Sequence, residues 1–184
     1  QSVRRFSSHS CFASSTPPNA ISSRIACSIA ASDKPNSFAT SISCSRETLP
    51  EEVVGLLSPF FPGFDLGSVR VYEGIPWYVM GDPLGYTDRH KIYFAPGAYR
   101  LDTHEGLALL AHEIAHCEQY RRLGTWRFRV QYLAGFARNL WRGKSRLQAY
   151  LDISFEIEAR TVERRVWRAL QRLEAQLLPE SSPL

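Results

Sequence analysis

Only one of the four cysteines, Cys117, lies beyond residue 44, and 184 residues contain a single methionine. Cys11, Cys27 and Cys44 fall in the first 46 residues, so the remainder of the chain has no disulfide framework to hold it. No apolar run approaches the ~20 residues needed to span a bilayer, and no apolar segment reads as a secretory signal. Charge of one sign is not in large excess either. The 22 Lys and Arg face 18 Asp and Glu, a net +4 that arises partly in the first 46 residues and argues little for a specific nucleic-acid partner.

Acids are scarce in two places. Residues 1–46 hold 14 serines, five basic residues and one acid, Asp33, and Pro17, Pro18 and Pro35 interrupt any periodicity. Such a leader has the composition of an organelle transit peptide, a plastid one above all, or of a plain disordered tail. The length then allows one domain over 47–178, followed by a short tail at 179–184. The second acid-free stretch, residues 121–146, carries Arg121, Arg122, Arg127, Arg129, Arg138, Arg142, Lys144 and Arg146. Trp126, Val130, Leu133, Phe136, Ala137, Leu140 and Trp141 interleave with them, which predicts a basic amphipathic helix over 126–142. The expectation is a helix packed on the core with a solvated basic face. Peripheral contact with an anionic membrane surface is the alternative, and nucleic acid is the weaker one.

The residues that carry chemistry are His112-Glu113-Ile114-Ala115-His116, an HExxH motif. Positions i and i+4 share a helix face, so His112 and His116 can aim two imidazoles at one ion, with Glu113 beside them as general base. The helix around them is predicted from Asp102 and Glu105 as a capping box, from the stripe Leu107, Leu110, Ala111 and Ile114, and from Gly124 as its stop after Arg121 and Arg122. His104 is read as a surface or capping residue. Cys117 points about 100° from the ligand edge and is read as a small buried apolar residue.

Two histidines do not hold a catalytic zinc; a third protein ligand is needed. Glu156 and Glu158 open a second helix, whose apolar stripe is Phe155, Ala159, Val162, Val166, Leu170, Leu173 and Leu177, with Ser154 or Asp152 as its cap. Glu156 flanks that stripe more closely and is the favoured inward carboxylate; Glu158 is the fallback. Upstream, residues 49–57 read as a short helix with Pro50 in its first turn. Residues 68–94 carry strand signals: Val69 and Val71 alternating with Arg70 and Tyr72, then Trp77, Val79, Ile92, Tyr93 and Phe94. The fold class is α+β: a small antiparallel sheet, then a mainly helical part with the HExxH helix and a glutamate-bearing second helix.

Residues 64–124, with the later Phe155-Glu156-Ile157-Glu158-Ala159, resemble the zinc-peptidase-like domain of extracellular contractile injection system proteins, of the gluzincin type. The resemblance rests on Asp65 with Val69-Arg70-Val71, on Thr87 with Ile92-Tyr93-Phe94 and Pro96-Gly97, on Leu109-Leu110-Ala111-His112-Glu113 with Gln119, and on the Phe-Glu-x-Glu-Ala segment. It implies a zincin-like metallopeptidase with one Zn2+ per chain on His112, His116 and Glu156, Glu113 as catalytic base, and a peptide or protein substrate added as a strand along residues 86–94. Cys117 and Glu118 depart from the family pattern. So does Arg160, which stands where related enzymes place an Asp or Asn that orients a ligand histidine; support for the metal must then come from elsewhere. Tyr86, His90, Tyr150 and Arg160 are the candidate oxyanion donors.

Overall fold

The computed structural model describes residues 47–79 and 83–177. The transit-peptide and tail readings of 1–46 and 179–184 concern residues outside this range. Four short strands make one sheet. β1 (Glu47–Thr48) pairs antiparallel with β2 (Arg70–Glu73); β3 (Gly85–Asp88) and β4 (Lys91–Phe94) form a hairpin; the order is β1-β2-β4-β3. The hairpin is docked with β4, not β3, against β2, so β2 and β4 run parallel, Val71 opposite Ile92. The sheet is therefore mixed, not antiparallel as the strand signals suggested. A parallel neighbour requires a crossover, and residues 74–90, β3 included, provide it. Within this excursion Trp77 to Val79 form turns and bends, not a strand, and Trp77 is 94% exposed.

Helix α1 (Glu51–Leu57) begins after Pro50, which occupies the N-cap position, and buries Val53 and Leu57 one turn apart. Its acids Glu51 and Glu52 sit at the positive helix end.

Helix α2 (His104–Leu123) carries HExxH. Its cap is Thr103, whose hydroxyl accepts from the Gly106 N–H at 3.1 Å. The expected Asp102–Glu105 box does not form, because the Asp102 carboxylate lies outside the helix, 3.6 Å from Arg100. The far end is as expected: Gly124 follows with φ +77°, a conformation that costs glycine little. Leu107, Leu110, Ala111 and Ile114 are wholly buried between the sheet and the last helix, α5 (Ser154–Leu177). His104 is buried as well, against the Trp167 ring and 3.9 Å from the Glu174 carboxylate, because α5 runs alongside the whole of α2. The surface or capping reading of His104 is thereby corrected. Cys117 is buried in the core, and that burial pushes its thiol pKa up.

Helix α3 (Thr125–Trp141) and the short α4 (Arg146–Leu151) connect α2 to α5. The α3 residues that face the core are Phe128, Gly135 and Asn139, and Phe128 joins Tyr120, Ile153 and Phe155 in a second apolar cluster. Of the stripe picked from the sequence as core-packed, Phe136 packs partly buried against that cluster, whereas Trp126, Val130, Leu133, Ala137, Leu140 and Trp141 point outward. The two stripes lie about 160° apart on the helix, and α3 sits at the edge of the molecule, so only one can be covered. Asp152 ends α4, with its carboxylate on Lys144 and Gln148, and does not cap α5. Of the α5 stripe, Phe155, Ala159, Val166 and Leu170 are buried, while Leu173 and Leu177 run out past the core.

Candidate metal centre

His112 and His116 project from one face of α2, their ring centroids 5.0 Å apart. Glu156, in the first turn of α5, meets them. Its Oε2 lies 3.5 Å from His112 Nε2 and its Oε1 3.3 Å from His116 Nε2. One ligand atom from each of the three residues falls within 4.8 Å of the others. Glu158, two residues on, points away and binds Arg122 and Gln119. The carboxylate that joins the histidines is thus Glu156.

The other ring nitrogens are held. His112 Nδ1 is 2.9 Å from Glu163 Oε2, and His116 Nδ1 is 2.9 Å from Gln119 Oε1. Gln119 is fixed in turn, its amide donating to the Phe155 carbonyl and to Glu158. Such contacts set the ring orientation and direct both Nε2 atoms at the same point. Arg160 leaves this task open at its own position, and Glu163, two turns beyond Glu156 on the same face of α5, takes it for His112. The i, i+7 spacing of Glu156 and Glu163 is its signal in the sequence.

The donor set suits a zinc ion: two imidazole nitrogens and one carboxylate oxygen, with a fourth position left for solvent. The electrostatics agree. Glu156 Oε2 is fully buried with no hydrogen bond among the described residues and with His112 Nε2 nearby, at 3.5 Å; a cation between them would satisfy it. Burial alone would lower the His112 pKa and raise that of Glu156. The Glu156 and Glu163 carboxylates beside His112 outweigh burial and push the imidazole up to about 10. The two histidines hold the Glu156 carboxyl far below the usual carboxylate range. A proton on the His112 ring offsets part of the carboxylate charge where a dication would.

Glu113 lies on the floor of an adjoining cleft of about 410 Å³, lined also by Gly85, Tyr86, Thr87, His116, Tyr132 and Glu156. The Thr87 hydroxyl is 2.7 Å from Glu113 Oε2, and Oε1 lies under Gly85. A Cβ at residue 85 would come within 2.5 Å of that oxygen, so any side chain there would displace the Glu113 carboxylate. β3 is an edge strand, and its residues Gly85, Tyr86 and Thr87 border the cleft.

Of the four candidate oxyanion donors, Tyr86 and Tyr150 line the cleft. His90 lies in the β3–β4 turn, and the Arg160 guanidinium turns to the Leu151 carbonyl. Tyr132, not singled out from the sequence, donates its hydroxyl to Glu156 Oε1 at 2.7 Å. Its signal was position: it shares the inward stripe of α3 with Phe128 and Asn139. Burial, reinforced by the charge of Glu156, pushes the Tyr132 and Tyr150 pKa values well up; burial first, then neighbouring Tyr120, takes Tyr86 to about 12. All three stay protonated donors at neutral pH.

Residues 48–124 match the eCIS core domain family, eCIS being the extracellular contractile injection system. The matched span runs from the end of β1 to the stop of α2 and includes HExxH; Glu156 and the helices α3 to α5 lie outside it. No curated protein and no solved structure gives a match.

Proposed function

Starting from a chain whose residues 48–124 match the eCIS core domain, we propose that it is a zinc metallopeptidase. The observation that carries this reading is the convergence of His112, His116 and Glu156 beside Glu113 at a cleft bordered by an edge strand. A zinc ion held there would supply Lewis acidity to a scissile carbonyl and lower the pKa of water in the site. Glu113 accepts the water proton and passes it to the leaving amine. Thr87 engages Oε2, which leaves Oε1, beneath Gly85, as the oxygen that takes the proton. A substrate segment pairs with the open edge of β3, which aligns its backbone across the cleft. The hydroxyl of Tyr150, neutral and lining the cleft, stabilises charge on the carbonyl oxygen, while Tyr132 holds Glu156.

The test combines metal analysis with proteolysis of a generic denatured-protein substrate. The wild-type chain is expected to hold one zinc, and His112→Ala and Glu156→Ala to lose it. Glu113→Gln is expected to keep zinc while its proteolysis drops about 10²–10⁴-fold. A wild-type chain without stoichiometric zinc defeats the reading. Zinc retention with no proteolysis in the wild type would leave a metal-secured binding domain instead.

A further inference from the structure

Helix α3 has two apolar stripes, and the fold uses one. On the outward side Trp126, Val130, Leu133, Ala137, Leu140 and Trp141 recur at three- and four-residue steps, and all are exposed. Trp126 is 77%, Leu133 66% and Trp141 90% exposed. The two indoles bracket the stripe about 22 Å apart along the axis, at ~1.5 Å per residue. Contiguous exposed apolar surface of this kind marks a contact face.

Charge identifies what covers it. Arg127 and Arg138 lie to one side of the stripe and Arg142 follows Trp141 at the helix end; all three are exposed and have no carboxylate partner among the described residues. No Asp or Glu occurs between Glu118 and Asp152. A second copy pairing through this face would bring arginines against arginines with no acid to offset them. Residues 1–46, with five basic side chains and one acid, are the wrong sign to cover it. An anionic lipid surface fits both features: acyl chains take the indoles and leucines, and headgroups take the guanidinium groups.

We propose that α3 lies in the interface of an anionic membrane, with Trp126 and Trp141 as its anchors. No described helix is long and apolar enough to cross a bilayer, so the contact is peripheral. Leu133 belongs to this stripe and also lines the cleft beside Glu113, so binding brings the mouth of the cleft to the lipid surface. This proposal does not depend on metal or on peptidase activity.

The test is co-sedimentation of the full chain with vesicles of phosphatidylcholine alone or with about one third phosphatidylglycerol. The expected result is binding to the anionic vesicles only, with a blue shift of tryptophan emission. High salt should release it, and each of Arg138→Gln and Arg142→Gln should weaken it about fivefold. Trp126→Ser/Trp141→Ser should abolish it while leaving helix content and metal content unchanged. Three outcomes overturn the proposal: a wild-type chain that stays in the supernatant, a double tryptophan variant that sediments as well as wild type, or a wild-type dimer in solution that those two substitutions dissociate. Tighter retention on duplex DNA than on anionic vesicles would also overturn it, in favour of a nucleic acid.

Discussion

Helices α2 and α3 follow one another across a single glycine and are of similar length, yet they stand in opposite relations to the fold. In α2, 14 of 20 residues are buried, on every side of the helix, including the charged and polar His112, Glu113, His116 and Gln119. In α3, 3 of 17 are buried, and its largest apolar side chains face out. The difference lies in what flanks each helix. The sheet covers one side of α2 and α5 the other, so its polar residues had to find partners and did so on those two neighbours, Thr87 of β3 and Glu156, Glu158 and Glu163 of α5, and in the His116–Gln119 pair. The first turn of α5 meets α3 on one side, and nothing described covers the opposite side. Burial on all sides constrains the working residues; exposure on one side leaves α3 free to meet something else.

The strongest way to break this contrast is a cavity in α2. Leu110→Ala, at a wholly buried position, should cost about 2–5 kcal/mol in denaturant unfolding. A loss below about 1 kcal/mol would mean that α2 is not the packed centre of the fold. Next, Gly85→Ala pushes a methyl group against Glu113. Small misplacements of reacting groups are worth up to about 10²-fold, so peptidase turnover should fall by roughly that factor while zinc content stays whole; an unchanged turnover would relieve Glu113 Oε1 of its role. Glu163→Gln sharpens the point that α5 organises the face of α2. Zinc affinity should drop about 10–100-fold, as measured by competition with a chelator, and an unaltered affinity would show that His112 needs no partner at Nδ1. The smallest effect is expected on α3. Trp141→Ser should move unfolding stability by no more than about 0.5 kcal/mol. A loss comparable to that of Leu110→Ala would show the outward stripe to be covered within the chain.

Much of α2 was legible because helix geometry is local. The HExxH spacing puts two imidazoles one turn apart whatever surrounds them, and Gly124 ends the helix wherever it is placed. The cap was misread by one residue because Asp, Thr and His in succession all offer cap chemistry, and only the path of the preceding loop selects Thr103. The sheet was read with the wrong sense because strand signals say nothing of how a hairpin docks. The outward stripe of α3 was mistaken for the core stripe because both have the same period.

The sequence by itself determined the pair of histidines, the glutamate between them, the helix that holds them and the basic, acid-free character of α3. The apolar stripe of α5 already favoured Glu156 over Glu158; tertiary structure alone decided that Glu163, Gln119 and Tyr132 hold the three residues together and that α3 turns its tryptophans outward. The reason is range. A helical repeat fixes neighbours within a turn or two, whereas a contact across more than twenty residues is fixed only when α2, α3 and α5 pack and each must choose which face to bury.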